Sequence, residues 1–215
     1  MKYIRFERFK LGSLSFLVYP KNPHFRVVNK TVQVLKDDGV IIYPTDTIYG
    51  LGAAISSKKG VEQIYQIKKI STHKLLSFIC ADLTDLSKYA YVDNQSYKIM
   101  KRCLPGPFTF ILPATKLVPK ILFQKRRTVG IRVPDCELCR AIVKELGEPI
   151  ISTSVPNGPD EFFNDPVEMI NRLENEVDLV LDAGVIISKP STIVDLSQGS
   201  PEIRREGAGD ISLIY

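Results

Sequence analysis

Apolar positions along the chain fall into helical stripes separated by short unbroken runs. Phe25, Val28, Val32 and Leu35 recur at helical spacing with Gly39 behind them as the expected C-cap, which predicts a helix over 24–38. Val40-Ile41-Ile42-Tyr43 reads as a short buried strand ended by Pro44. Val61, Ile64 and Tyr65 mark the inner face of a second helix over about 58–69, and 76–80 reads as the next strand. Asp93 is placed to cap a helix running to about Cys103, where Pro105-Gly106-Pro107 stops it. Strands follow at 109–112 and 128–133, with a basic segment between them.

Asp135 opens a helix whose stripe is Leu138, Ile142 and Leu146 and which Gly147 closes. A strand at 149–153 leads into a polar loop reaching Asn164. Asp165-Pro166-Val167-Glu168 then supplies an N-cap, a proline at the first helical position and an acidic third residue, for a helix predicted to end near Val177. Strands at 178–182, 192–196 and 201–205 complete the series. Strands and helices interleave without a repeat, a low-complexity tract or a break in composition. The pattern predicts one α/β domain over 1–215, a layered sheet with helices on both faces and a short N-terminal extension over about 1–23. The last strands have no helix between them, so the sheet is expected to be mixed.

Bulk properties add limits rather than a function. With 215 residues, 44% hydrophobic and 25% charged, the chain has the make-up of an ordinary globular domain with a sizeable core. No apolar run approaches the roughly 20 residues of a membrane helix. The opening Met1-Lys2-Tyr3-Ile4-Arg5 is interrupted by charge, and 13–19 alternates like a strand, so neither a signal peptide nor membrane contact is expected and the default compartment is cytoplasmic. The net charge is only +5, but Lys58-Lys59, Lys68-Lys69, Lys125-Arg126-Arg127 and Arg204-Arg205 stand beside predicted strands. Such clusters suit a polyanion or nucleic acid, and equally a solvated lysine-rich surface.

Cys80, Cys103, Cys136 and Cys139 are scattered, and His24 and His73 sit in no metal-ligand spacing. Cys136 and Cys139 stand at the start of a predicted helix, where thiol acidity rises, yet acidic Asp135 and Glu137 flank them and oppose a thiolate. Reduced, structural cysteines are the expectation, and no metal site is expected.

Candidate chemistry gathers at strand ends. Pro44-Thr45-Asp46-Thr47-Ile48-Tyr49-Gly50-Leu51-Gly52 follows a buried strand and combines hydroxyls, a carboxylate and glycines. Open sheets hold ligands at such places, and hydroxyls with glycine N–H groups suit phosphate or carboxylate oxygens. A turn whose Thr and Asp side chains bond the local backbone has the same composition. Ser152-Thr153-Ser154 end another β-branched run. Arg132, in Gly130-Ile131-Arg132-Val133-Pro134, interrupts an apolar strand and calls for a fixed anionic partner. Phosphate-loop, dinucleotide and nucleophile-elbow motifs are absent, which leaves positioning and charge neutralisation of a phosphate-bearing ligand rather than covalent catalysis.

Taken together, these segments resemble the YrdC/YciO-type family of threonylcarbamoyl-adenylate synthases. The matching motifs are Tyr43 to Gly52, Ile67-Lys68, Pro105-Gly106-Pro107-Phe108-Thr109, Gly130 to Pro134, Ile151 to Ser154, Pro190-Ser191-Thr192-Ile193-Val194-Asp195 and Arg205-Glu206-Gly207-Ala208-Gly209, in the family's order. The resemblance implies a three-layer α/β/α fold with a mixed, twisted sheet and a basic concave face. It also implies a nucleotidyltransferase that joins threonine, bicarbonate and ATP, carried with magnesium, into threonylcarbamoyl-adenylate and pyrophosphate, the precursor for threonylcarbamoyladenosine in tRNA. Double-stranded RNA or tRNA would be a further partner.

Carried over by position, Lys68 and Thr45 would be catalytic, and Thr45, Thr47 and Tyr49 would line the threonine end. Lys68, Ser154, Thr192 and Arg205 would hold the nucleotide, with Thr109, Arg132 and Ser152 in the same cleft. Synthases of this type follow the lysine with a glycine-arginine-proline run, whereas here it is Lys68-Lys69-Ile70-Ser71. A serine-alanine-asparagine run is likewise replaced by Ser154-Val155-Pro156, with asparagine only at Asn157. Both departures, with the Ser71-Thr72-His73-Lys74-Leu75 continuation, are similar to the YciO branch. The branch suggests a nucleotide- or RNA-binding relative without efficient synthesis, or a hydrolase of a threonylcarbamoyl-adenylate-like compound, as alternatives.

Overall fold

A computed structural model of the chain describes residues 6–8, 14–70, 76–119, 127–156, 163–173 and 175–215 (backbone alone for 6–8 and 163). The Ser71 to Leu75 continuation, Lys125-Arg126 and Asn157 lie outside the described residues.

In chain order the elements are β1 (Phe6–Arg8), β2 (Leu14–Leu17), α1 (Phe25–Lys36), β3 (Ile41–Tyr43), β4 (Gly50–Ala54), α2 (Lys58–Lys68), β5 (Ser77–Ile79), α3 (Leu83–Tyr89) and α4 (Asn94–Cys103). There follow β6 (Phe108–Pro113), β7 (Thr128–Arg132), α5 (Glu137–Leu146), β8 (Ile150–Ser154), β9 (Phe163–Asn164) and α6 (Pro166–Leu173). The chain ends with β10 (Leu179–Asp182), β11 (Ile186–Ile187), β12 (Thr192–Asp195), β13 (Glu202–Arg205) and a 3-10 turn at Ile211–Leu213.

Most predicted boundaries hold because their local chemistry is present. Asp93 accepts from the Ser96 N–H at 2.7 Å and caps α4. Gly147 takes φ 80° and closes α5. At α1 the expected cap is displaced by one residue. Asp38 adopts the left-handed conformation (φ 64°), while Gly39 is needed for close approach, since a Cβ there would lie 2.6 Å from Val34 Cγ1. The helix from Pro166 stops at Leu173 rather than near Val177, because the chain must turn there to bring the Asp178 N–H to the Val40 carbonyl (2.8 Å) and start β10.

Eleven strands form one sheet in the order β1-β2-β10-β3-β4-β8-β5-β7-β6-β12-β13. It is mixed: β10 runs parallel to β2 and β3, β5 to β7 and β6 to β12, while the remaining neighbours are antiparallel. One face carries an apolar cluster with α2, α3, α4 and α6, through side chains such as Ile64, Leu86, Met100 and Ile170 against Leu51, Phe78, Phe110 and Ile151. On the opposite face α1 and α5 pack Val28, Leu35, Leu138 and Ile142 against Ile41, Tyr43, Ile79, Ile150 and Leu179. This is the three-layer α/β/α arrangement. The second cluster takes in no residue of β6, β7, β12 or β13, so among the described residues that end of the face is outside the apolar cluster. The cleft lies there.

Candidate functional site

Paired residues in neighbouring strands share a face, so register alone assembles the cleft floor. Gly50 and Gly52 of β4 pair with Ser154 and Ser152 of β8. Ser152 pairs with Ser77 of β5, Ser77 with Gly130 of β7, and Gly130 with Ile111 of β6. Thr109 pairs with Ile193 of β12, which pairs with Arg205 of β13. A row of mostly small and hydroxylated residues thus runs across seven strands. Space for it is made by glycine: a Cβ at Gly50 or Gly52 would come within 2.9 or 2.8 Å of the Tyr43 ring.

The resulting cleft has a volume of about 430 Å³, and its polar lining includes Lys68, Ser77, Thr109, Arg132, Ser152, Ser154, Ser191 and Arg205. That size suits a nucleotide or another small phosphate-bearing molecule. The Lys69 residue ends α2 in the left-handed conformation (φ 51°), which sets Lys68 in the last turn with its Nζ 3.4 Å from Ser154 Oγ. Ile70 donates its N–H back to the Tyr65 carbonyl and packs against the core.

Arg132 is held on the wall by the turn between β3 and β4. Its Nη2 donates to Asp46 Oδ1 at 2.8 Å and to Thr47 Oγ1 at 3.0 Å, while its buried Nε makes no hydrogen bond. Asp46 Oδ2 accepts from the Asp135 N–H at 3.0 Å, tying the turn to the start of α5. Arg205 donates from Nε and Nη2 to the Ser191 carbonyl at 3.1 and 2.8 Å. Ser191 Oγ lies 2.8 Å from Thr109 Oγ1, which joins the two sides of β12. Arg204, pointing the other way, pairs with Asp195 at 3.0 Å, as expected for alternate strand positions.

The residues singled out from the sequence separate into two groups. Lys68, Tyr49, Thr109, Arg132, Ser152, Ser154 and Arg205 line the cleft together. Thr45, Thr47 and Thr192 are not among the lining residues. Thr45 Oγ1 donates to the Ile48 carbonyl (2.7 Å) and accepts from the Thr47 N–H (3.1 Å), the local turn bonding that the composition also allowed. Thr47 backs Arg132, and Thr192 Oγ1 ties Gly209 O (2.8 Å) to the Gly207 N–H (3.0 Å). The Tyr49 hydroxyl is committed to Gly184 O and the Ala183 N–H, both at 2.8 Å. Burial pushes the Tyr43 and Tyr49 hydroxyls well above the ordinary tyrosine value, so both stay protonated.

Ser77 and Ser191 are lining residues that were not singled out as ligands. Ser77 is a lone hydroxyl in the apolar run Leu76-Ser77-Phe78-Ile79-Cys80, which is the signal that marks it. Among the described residues no three His, Cys, Asp or Glu side chains gather to hold a metal. No helix of the described residues is long and apolar enough to cross a membrane.

Known proteins share this arrangement. The Sua5/YciO/YrdC family, described as "Telomere recombination", matches residues 33–207. YciO of Escherichia coli K12, an uncharacterised protein, is 42% identical over 198 residues, covering 91% of this chain and 96% of its own. Its crystal structure aligns with a TM-score of 0.88 at 40% identity, over 94% of this chain and 100% of that one. A putative threonylcarbamoyl-AMP synthase of Methanocaldococcus jannaschii is 33% identical over 196 residues, covering 88% and 91%. The P. abyssi Sua5 structure complexed with L-threonine shares the fold, with a TM-score of 0.80 at 22% identity over 89% of this chain and 57% of that one. The chain belongs to the Sua5/YciO/YrdC family.

Proposed function

We propose that the cleft binds ATP, with its magnesium carried on the phosphates, and joins it to threonine and bicarbonate to give threonylcarbamoyl-adenylate and pyrophosphate. The observation that carries this reading is the convergence of Lys68, Arg132 and Arg205 with the Ser77, Thr109, Ser152 and Ser154 hydroxyls on one cleft of about 430 Å³. Kinship with a putative threonylcarbamoyl-AMP synthase at 33% identity supports it. So does the fold shared with a Sua5 protein that takes L-threonine.

Chemically, the threonine amine and bicarbonate give a carbamate and water, and the carbamate oxygen attacks the α-phosphorus of ATP as pyrophosphate leaves. No side-chain nucleophile is needed. The protein's work is to hold two anions together and to offset the charge that develops on the phosphate oxygens. Lys68 and Arg205 supply movable and fixed positive charge, respectively, at opposite walls. Arg132 presents its guanidinium beside Asp46, a partly neutralised group suited to orienting a carboxylate or carbamate. Thr45 and Thr47 act behind it, by fixing the turn.

Incubation with threonine, ATP, magnesium and isotopically labelled bicarbonate tests the reading. The expected product carries the label in its carbamoyl carbon. AMP or ADP formation without labelled product would reject it.

A second reading, nucleotide and double-stranded RNA binding without efficient synthesis, has one observation in its favour. Ile70, two residues after Lys68, is partly buried against the core, so the position where the synthase pattern has arginine carries no charge. A charged hydrogen bond contributes about 1.5–3 kcal/mol, so turnover slower by roughly ten- to a hundredfold is expected. Ile70→Arg raises the rate if that charge is what limits synthesis, and leaves it unchanged if the cleft only binds.

A further inference from the structure

Cys136 and Cys139 are a pair with a shared acceptor. Cys139 Sγ donates to the Pro44 carbonyl at 3.1 Å, and Cys136 Sγ approaches the same oxygen at 3.7 Å. Cys136 is the N-cap of α5 and makes no side-chain capping bond, while Cys139 lies one turn in on the same face. Both thiols are buried, at 4% and 0% exposure, so an oxidant reaches them when the uncapped first turn opens, and their helical spacing then lies within reach of the separation a disulfide requires.

The flanking acids that spoke against a reactive thiol share one cation, which offsets part of their charge. Arg140 Nη1 meets Asp135 Oδ1 at 3.5 Å, and its Nη2 meets Glu137 Oε1. Asp46, the remaining nearby carboxylate, is paired with Arg132 and the Asp135 N–H. The thiols are thus left next to the helix N-terminus, which favours a thiolate at Cys136. The Cys136 thiol is shifted downward, chiefly by its hydrogen bond to Cys139, whereas burial holds the Cys139 thiol well up.

We propose that Cys136 and Cys139 form a reversible disulfide with small-molecule disulfides, and that closing it loosens the turn holding Arg132. The thiolate of Cys136 attacks one sulfur of the oxidant, giving a mixed disulfide and releasing one thiolate. Cys139 then loses its proton and attacks the Cys136 sulfur, forming the internal bond and releasing the second thiol. The protein loses two electrons and two protons, and the oxidant is reduced to two thiols. Both S–H donors then leave the buried Pro44 carbonyl, which opens the turn carrying Asp46 and Thr47. These two residues are the hydrogen-bonded partners of the Arg132 guanidinium. The proposal concerns this turn and does not rest on what the cleft binds.

The folded protein is exposed to oxidised glutathione, digested and mapped by mass spectrometry. The expected result is one internal link, Cys136 to Cys139, with Cys80 and Cys103 still free and full reversal by dithiothreitol. Cys139→Ser is expected to stall as glutathione bound at Cys136, and Cys136→Ser to take up none at residue 139. Amide exchange supplies the second readout. The Asp135 N–H, which donates to Asp46, exchanges about fivefold faster in the oxidised protein, the size expected for losing one hydrogen bond of average strength. Free thiols at both positions under native circular dichroism would overturn the disulfide. A disulfide with unchanged exchange at Asp135 would overturn its link to Arg132.

Discussion

Arg132 and Asp46, separated by 86 residues in sequence, form an ion pair of 2.8 Å in which both side chains are almost wholly enclosed (11% and 8% exposed). The carboxylate has two tasks, since its other oxygen accepts from the Asp135 N–H. One residue therefore fixes both the cleft arginine and the start of α5.

Removing that carboxylate leaves an enclosed guanidinium with one neutral partner, Thr47. Asp46→Asn is expected to lower stability by about 3 kcal/mol, the low end for an uncompensated charge, because the cleft still admits water to Arg132. Urea unfolding checks this: the midpoint falls while the slope stays constant. A midpoint equal to that of the parent would mean that the pair contributes nothing.

Tyr43 gives a pH prediction. Its hydroxyl donates to Ser152 Oγ at 2.6 Å across β4, and burial, the largest cause, raises its pKa above the ordinary 10.0. The folded chain keeps this proton where the unfolded chain has lost it. Stability is therefore fully present below pH 10 and falls as pH rises, by about 1.4 kcal/mol per pH unit for each such tyrosine. Tyr49 is shifted in the same direction, by burial first. Tyr43→Phe should make the decline above pH 10 shallower by about 1.4 kcal/mol per unit, and below pH 9 should cost only about 1 kcal/mol for the hydrogen bond. Equal slopes in the two proteins would contradict the assignment.

Steric room under the same ring can be tested at Gly52. A Cβ there would stand 2.7 Å from Ile150 Cγ2 and 2.8 Å from Tyr43 Cε1. Gly52→Ala is expected to destabilise by about 1–3 kcal/mol through overpacking. Thermal unfolding measures it, and an unchanged midpoint would show that the ring moves aside freely.

Much of this architecture is legible in the sequence, because helix caps and apolar stripes act locally. Asp93, Gly147 and Asp165 mark ends that the structure keeps. β4 was not legible, since Gly50-Leu51-Gly52-Ala53-Ala54 has little intrinsic preference for a strand. It forms because Tyr43 needs a surface without side chains and β8 supplies the hydrogen bonds. The cleft was legible as strand chemistry at Arg132 and Ser152, and the family resemblance added Lys68 and Arg205. Which threonines face it was not, because Thr45 bonds within its own turn while Thr47 and Thr192 satisfy partners that only the fold brings into reach.

Arg205 should distinguish fixed geometry from charge alone. Its guanidinium uses two nitrogens on the Ser191 carbonyl, an anchorage that an ammonium cannot copy. Arg205→Lys is expected to weaken ATP binding about tenfold with the fold intact, as read by calorimetry and circular dichroism. Undiminished affinity would remove Arg205 from the nucleotide end of the cleft.

Pyrophosphate release from magnesium ATP, measured with threonine and bicarbonate together and with each omitted in turn, tests the proposed synthesis most directly. The account predicts release only when both are present, and none when either is left out. Release that ignores threonine, or no release from folded protein that binds ATP, would contradict it.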